Sequence, residues 1–368
     1  MRIEQRLLRP DANNFTVVRL ALACSVIYTH CYVETWGGGD ADDITWLLGA
    51  PISKFAVDGF FFLSGFLVYP SLQRLGSSRW FLGARLARLW PALALSILLT
   101  VLGGLFFTSV PGLSYFSGPT ARFIFGNLSF IRAHYSLTGI DCGGTVCNVN
   151  GSLWTLPIEA RCYLILAGLG LVGLTRPLWF LGLILPATVA AALAWDFETV
   201  RDLFTNAAGP GPAYVLDVFL RLWPLFALGA AAYILRHRIV LSWWLLGGFF
   251  IFAICTADET FAAQSRALFE AYGVLCFGLL TAKTRALSGA WPDYSYGMYI
   301  FAAPVMVLIH AAWRPGSHWP LAAATALATL PIAAASWHWL ERPALDGFKR
   351  WRASATAARA APDGSPKS

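Results

Sequence analysis

The chain alternates between long apolar stretches and short polar breaks over nearly its whole length. Each apolar stretch has about 20 residues, the length of helix that crosses the hydrocarbon core of a bilayer. The pattern therefore predicts an all-α fold, a polytopic membrane bundle of about ten transmembrane helices. We place the spans at residues 14–33, 51–70, 89–108, 152–173, 178–195, 213–235, 240–257, 266–283, 293–313 and 319–340.

Composition supports a membrane protein. Hydrophobic residues make up 57% of the chain and charged residues only 13%, whereas soluble domains carry about 25% charged residues. The 16 Trp residues suit the aromatic belts at membrane surfaces. No cleaved signal peptide is expected, because the apolar run after the polar start is long and lacks a small-residue cleavage site.

The distribution of basic residues predicts the orientation of the chain. With both termini in the cytoplasm, ten spans place 18 of the 27 Lys and Arg residues in cytoplasmic segments, five in outer segments and four within spans. This bias follows the positive-inside rule, which an odd number of spans would spoil. The net charge of +7 is therefore explained by basic residues that face the cytoplasmic leaflet of the membrane, and no nucleic-acid partner is predicted.

His30 lies within the first apolar stretch, where an ionisable side chain is costly and often functional. Arg19 precedes it by eleven residues, which puts both on one helical face, roughly 16 Å apart along the axis. The pair suggests a polar cavity that runs into the membrane. A hydrogen bond from His30 to a neighbouring helix, without function, is the alternative.

Arg85 and Arg88 are spaced i, i+3 at the cytoplasmic mouth of the third span, so they share a helical face. Their planar guanidinium groups suit bidentate binding of phosphate. Simple anchoring under the positive-inside rule explains the same residues, and charge alone favours that interpretation.

Polar side chains also interrupt the second span. Lys54 and Asp58 are spaced i, i+4, so they can pair within the membrane. Asp58 is interpreted either as the structural partner of a basic group or as a residue of a cavity, with the structural interpretation slightly favoured.

The fourth and last spans carry acids as well. Glu159 can orient a histidine or a sugar hydroxyl, or pair with Arg161 or Arg221. Trp154 is either an interfacial anchor or a cover over a substrate entrance. In the last span, Glu341 is expected to pair with a basic group, and Pro343 to end the helix.

The longest predicted outer segment runs roughly over residues 110–150, and loops of that length usually carry function or cover a site. It contains Cys142 and Cys147, for which we predict a disulfide. Too few ligands accompany them for zinc, so no metal site is predicted. We expect an integral-membrane domain over residues 1–345 and a disordered cytoplasmic tail over residues 346–368.

Together, these motifs resemble those of the membrane acyltransferase-3 family, the bacterial integral-membrane sugar O-acyltransferases. The similarity extends from about Asn14 to Pro343. It is carried by Arg19 and His30 as Arg-x10-His, by VDGFFFLSGFLV, by Arg85 and Arg88 as Arg-x-x-Arg, by GSLWTLPIEARCYL with Trp154 and Glu159, and by SYGMYIFAAP and LERP. One departure is Ala302, which stands where relatives commonly carry a histidine.

The resemblance implies an acyl-CoA donor, usually acetyl-CoA, bound from the cytoplasm of a bacterium at its inner membrane. It implies a glycan or glycolipid acceptor, reached from the other side. On this basis we predict catalytic residues His30 and Glu159, donor-binding residues Arg19, Arg85 and Arg88, and substrate-binding residues Trp154 and Asp58. His30 would act either as the general base on the acceptor hydroxyl or as a carrier of the acyl group. The sequence predicts no oligomeric state.

A transporter is the rival class, since intramembrane Arg19, His30, Asp58 and Glu159 would also suit a polar substrate pathway. Many transporters consist of two related halves, and the sequence contains no such repeat. The enzyme is therefore preferred.

Overall fold

The structure is a computed structural model that describes residues 2–8, 13–37, 41–142, 145–146, 148–256, 262–282 and 291–360. Within them the chain is almost entirely helical, and one short antiparallel pair joins β1 Asp141–Cys142 to β2 Thr145–Val146. The helices are α1 Ile3–Leu7, α2 Phe15–Trp36, α3 Thr45–Leu48, α4 Ile52–Leu75, α5 Ser78–Gly104, α6 Gly118–Leu128, α7 Thr155–Leu171, α8 Pro177–Trp179, α9 Leu185–Asp196, α10 Glu198–Ala208, α11 Pro210–Ile234, α12 Trp243–Cys255, α13 Ala262–Leu280, α14 Ser295–Trp313, α15 His318–Ser336 and α16 Arg342–Ala360.

Four short helical turns of other types complete the described secondary structure. Two are 3-10 turns, at Gly112–Phe116 and Gly151–Trp154. Two are π turns, at Phe180–Ile184 and Trp337–Glu341, and each joins the α-helices on either side of it. The chain is thus continuously helical from Pro177 to Asp196 and again from His318 to Ala360.

Each of the ten predicted spans coincides with a helix, which confirms the all-α polytopic bundle. Seven helical runs among the described residues are long and apolar enough to cross a membrane. They are Phe15–Trp36, Ile52–Leu75, Ser78–Gly104, Pro177–Asp196, Pro210–Ile234, Ser295–Trp313 and His318–Ala357. The predicted fourth, seventh and eighth spans correspond to α7, α12 and α13, of which α7 and α12 are short and α13 carries two charged residues.

Helix α4 lies at the centre of the bundle and is the most buried of the seven spans. Its main partner is α11, against which it packs backbone to backbone at two glycines. A methyl group at Gly65 would overlap the carbonyl oxygen of Phe226, and one at Gly229 would overlap that of Phe62. Small residues let transmembrane helices approach this closely, so the two glycines fix the distance between α4 and α11.

The C-terminal region differs from the prediction, because residues 346–360 are helical rather than disordered. Aromatic contacts explain the difference: the Trp80 ring lies 5.0 Å from that of Trp351 and 6.2 Å from that of Phe348. Pro343 does not end the helix either. The π turn Trp337–Glu341 lies just before it and already interrupts the regular α-helical hydrogen bonds, so the proline is accommodated in the first turn of α16. Residues 361–368 lie outside the described residues.

The predicted long outer segment is a packed structure. Tyr115 and Phe123 are fully buried in it, and the Tyr115 hydroxyl donates to the carbonyl of Val101 at 2.8 Å. The segment therefore covers one end of α5. The predicted disulfide cannot be followed there, since Cys147 lies outside the described residues, and it stays a prediction.

Candidate active site

Five helices, α2, α4, α5, α7 and α14, enclose a cavity of about 110 Å³ that we call the arginine cavity. Apolar atoms make up most of the surface of its wall, and polar groups from ten residues converge on it, a combination found in ligand sites. The polar lining consists of Arg19, Ser64, Arg85, Arg88, Thr155, Glu159, Tyr163, Ser295, Tyr296 and Tyr299. Four of the seven predicted site residues, namely the three arginines and Glu159, therefore meet in one place.

Arg88 is held by two acids that lie far away in sequence. Its guanidinium group donates to Asp293 at 2.9 Å and also to Glu341, whose side chain is only 1% exposed. The rings of Tyr296 and Trp337 lie 5.5 and 4.9 Å from the guanidinium carbon. The expected partner for Glu341 is thus Arg88, and the donors of Arg88 are directed to the protein itself.

Asp293 bridges two of the arginines, because Arg19 donates to the same carboxylate oxygen at 2.5 Å. Burial opposes ionisation of Asp293, but Arg19, Arg88 and two hydrogen bonds from Ser295 outweigh it and lower the pKa of Asp293 to about 2. Sequence reasoning missed this residue. The available signal was that arginines inside spans need acidic partners.

Arg85 differs from Arg88 although the two lie one helical turn apart. Its Nε atom is buried and has no hydrogen-bond partner among the described residues. The centre of the Phe81 ring lies 5.9 Å from the guanidinium carbon. Arg85 therefore lines the cavity with a hydrogen-bond donor that no described residue uses.

Glu159 belongs to a polar cluster on the opposite wall. Tyr163, one turn later on α7, donates its hydroxyl to Glu159, and the Ser64 hydroxyl on α4 donates to the same oxygen at 3.3 Å. The expected alternatives, pairing with Arg161 or Arg221, do not hold. Arg161 donates to the carbonyl of Ile131 at 2.8 Å, and Arg221 pairs elsewhere.

His30 is half-buried on α2 and does not line the arginine cavity. Eleven residues separate it from Arg19, which does, so it lies roughly 16 Å farther along the same helix. Thr29, directly before it, donates to Asp42 at 2.6 Å and fixes this part of the helix to the following segment. The catalytic role of His30 stays a prediction.

Asp58 and Trp154 lie outside the arginine cavity. Asp58 pairs with Arg221 at 2.7 Å, not with Lys54 as the spacing suggested, and it lines a second cavity. Trp154 ends the 3-10 turn before α7 and packs, partly buried, against the main apolar core. It therefore supports the start of the helix that carries Glu159.

Comparisons with known proteins identify relatives of this chain. The chain is 30% identical over 356 residues to "Nodulation protein 10" of Rhizobium leguminosarum bv. viciae, covering 90% of the chain and 93% of that protein. It is 26% identical over 341 residues to the "O-acetyl transferase" of Shigella phage Sf6, covering 90% and 95%. No solved structure shows significant similarity. The profile of the acyltransferase-3 family, described as an acyltransferase domain, matches residues 13–339, and the chain belongs to this family.

Proposed function

We propose that this acyltransferase moves an acyl group, specifically acetyl, from cytoplasmic acyl-CoA to a hydroxyl of an extracytoplasmic or lipid-linked glycan. The observation that carries the proposal is the cavity that brings Arg19, Arg85, Arg88 and Glu159 together in a chain of this family. The name of the phage relative, an O-acetyl transferase, supports acetyl as the group transferred.

Arg85 and Arg19 would bind the phosphates of CoA. The unused Nε donor of Arg85 suits a phosphate oxygen, and a planar guanidinium group can bind phosphate through two hydrogen bonds. Arg88, held by Asp293 and Glu341, adds positive charge and fixes the wall on which Arg85 stands. In the donor site, Arg85 would thus bind the ligand, and the neighbouring Arg88 would support it.

In the transfer step, a base accepts the proton of the acceptor hydroxyl while its oxygen attacks the thioester carbonyl. The carbon–sulfur bond then breaks, and CoA leaves as a thiolate that takes up a proton. His30 is our candidate base, since the pKa of imidazole lies near ambient pH. Because CoA carries its phosphates and its thioester at opposite ends, the separation of Arg19 from His30 suits an extended donor. Glu159 would orient the reacting groups.

The proposal includes the placement of the enzyme. Residues 1–345 would form the membrane domain, in the bacterial inner membrane, with both termini in the cytoplasm as the positive-inside bias predicts. Donor and acceptor would then approach from opposite sides of the bilayer.

The experiment is an acyl-transfer assay with the full chain in lipid nanodiscs. Radiolabelled acetyl-CoA is supplied, and the acceptor is the glycolipid fraction of a strain that lacks the gene. Wild type should label the glycolipid, and His30→Ala should lower transfer at least about 100-fold, the contribution typical of a general base. His237→Ala, at an exposed position, is the matched control. Wild-type turnover by a folded His30→Ala variant would remove His30 from the mechanism, and no labelling by wild type would refute the proposed function.

A further inference from the structure

A second and larger cavity, of about 460 Å³, lies between α4, α9, α11 and α13. Lys54 and Asp58 in the first turns of α4 line it, as do Asp196 at the end of α9 and Gln264 near the start of α13. Helix α4 begins at the end of the bundle where α2 finishes, whereas Arg19 lies in the first turns of α2. The second cavity is therefore displaced from the arginine cavity toward the opposite end of the bundle.

Three buried polar atoms on the wall of this cavity have no hydrogen-bond partner among the described residues. They are Nε of Arg221, Oε1 of Gln264 and Oε2 of Glu270. A buried polar atom without a partner costs about 1–3 kcal/mol, so native proteins leave few of them. At this cavity, water or a ligand must therefore supply three missing hydrogen bonds.

The kinds of atom restrict the chemistry of that ligand. Arg221 offers a donor and needs an acceptor, while the oxygens of Gln264 and Glu270 need donors. A fully ionised phosphate group has acceptors only, and its negative charge would be repelled by an ionised Glu270. A hydrocarbon chain satisfies none of the three atoms. Hydroxyl groups both donate and accept, so a molecule with several of them satisfies all three.

The remaining wall agrees with a carbohydrate. Asp58 already neutralises Arg221 through their ion pair, and Lys54 and Arg266 face Glu270 in the same cavity, so the site holds both signs of charge. Trp195 contributes an apolar face, with its indole nitrogen already donating to Asp217 at 2.9 Å. Mixed charge with an aromatic wall suits a hydroxyl-rich ring.

We infer that the second cavity binds the carbohydrate part of the acceptor through Arg221, Gln264 and Glu270. The inference rests on the proposed function for the identity of the acceptor. Helix α4 is the shared wall of the two sites, with Val57 facing the arginine cavity and the next residue, Asp58, facing the sugar. Donor and acceptor sites thus flank one central helix.

The test is saturation-transfer-difference NMR on the full chain in nanodiscs, with methyl β-D-glucopyranoside as the probe. Wild type should transfer saturation to the sugar protons. Glu270→Leu and Gln264→Leu should each lower the signal at least fivefold, as should Ala263→Trp, which fills the cavity without removing a polar group. Glu198→Leu, at an exposed position of α10, is the matched control and should retain the signal.

No sugar signal in wild type, or equal signals in wild type and all three cavity variants, would overturn the inference and leave a water-filled chamber. Broadening of the phosphorus resonance of inorganic phosphate by wild type, lost in the cavity variants and without sugar binding, would overturn it in favour of a phosphate site. The assay needs no acyl-CoA. Sugar binding without acyl transfer would refute the proposed function alone, whereas transfer without sugar binding would refute this site alone.

Discussion

At the scale of single residues, Arg85 and Arg88 differ in their partners. Arg88 faces the acids Asp293 and Glu341, while the Nε atom of Arg85 has no partner among the described residues. Under the proposed function, the Arg-x-x-Arg motif would combine a ligand-binding arginine, Arg85, with a structural one, Arg88. The sequence suggested that both arginines bind CoA phosphates. We now expect loss of Arg85 to weaken CoA binding and loss of Arg88 to lower stability.

Arg85→Ala should weaken acyl-CoA binding roughly 10- to 100-fold and leave the fold intact, since hydrogen bonds to charged groups contribute about 1.5–3 kcal/mol. Isothermal titration with CoA measures the effect. Arg85→Lys is the control, because it keeps the charge but loses the planar fork and should recover only part of the affinity. A change confined to acceptor affinity would contradict the donor site.

Arg88→Ala should instead destabilise the protein by about 3–5 kcal/mol, because it leaves the buried Glu341 without its basic partner and Asp293 with Arg19 alone. Thermal unfolding in nanodiscs measures this loss. Arg88→Ala combined with Glu341→Gln and Asp293→Asn should regain stability. An Arg88→Ala variant as stable as wild type would show that the ion pairs are dispensable.

Asp293 predicts a specific acid sensitivity. Its pKa falls from the usual 3.8 to about 2 in the folded protein, so its ionised form is favoured by folding. The stability it contributes is fully present above pH 3.8 and is lost as the pH falls toward 2. Unfolding midpoints measured across this range should therefore decline less steeply for Asp293→Asn than for wild type. Parallel declines would mean that Asp293 is not the group responsible.

At the scale of helices, the contact between α4 and α11 depends on two glycines. Gly65→Ala or Gly229→Ala should destabilise the protein by roughly 1–3 kcal/mol or more, because each methyl group would meet a backbone carbonyl that cannot move aside. Gly168→Ala on α7 is the control: open space surrounds that position, and alanine favours the helix by about 1 kcal/mol. Thermal stability of the three variants compares them directly, and a neutral Gly65→Ala would contradict the close packing.

Local patterns in the sequence predicted the helices well, since hydrophobic length and the i, i+3 and i+4 relations act within one segment. They assigned Arg19, the pair Arg85 and Arg88, and Glu159 to three different helices, and the structure brings these four side chains together at one cavity. Interaction partners on other helices were harder to predict from the sequence. Asp58 pairs with Arg221, 163 residues away in sequence, and not with Lys54. The packing of the helices against one another decides which charged side chains lie within reach, and local spacing does not show it.

The helical residues 346–360 were missed for a related reason. Their small, polar composition is typical of disorder, and the aromatic contacts of Phe348 and Trp351 with Trp80 depend on a helix more than 260 positions earlier. Sequence composition alone does not reveal a docking surface that another span provides.

At the scale of the whole molecule, the predicted orientation is testable through Cys142 and Cys147. If residues 110–150 face the oxidising side, these cysteines should form a disulfide and resist a membrane-impermeant maleimide until the protein is reduced. Labelling of intact cells before and after reduction checks both the bond and the side of the membrane. Cys142→Ser, which leaves Cys147 reactive without reduction, is the control. Labelling of both cysteines in untreated wild-type cells would exclude the bond.

The partners of Arg88 also bear on how the chain is assembled during synthesis. Asp293 and Glu341 follow Arg88 by 205 and 253 residues, so α5 enters the membrane long before its counter-charges have been made. Until the last helices have been made, Arg88 lacks both of the acids that pair with it in the folded protein. Neutralisation of Arg88 therefore depends on synthesis of the chain through Glu341, so the third span reaches its final electrostatic state only when the last helices are in place.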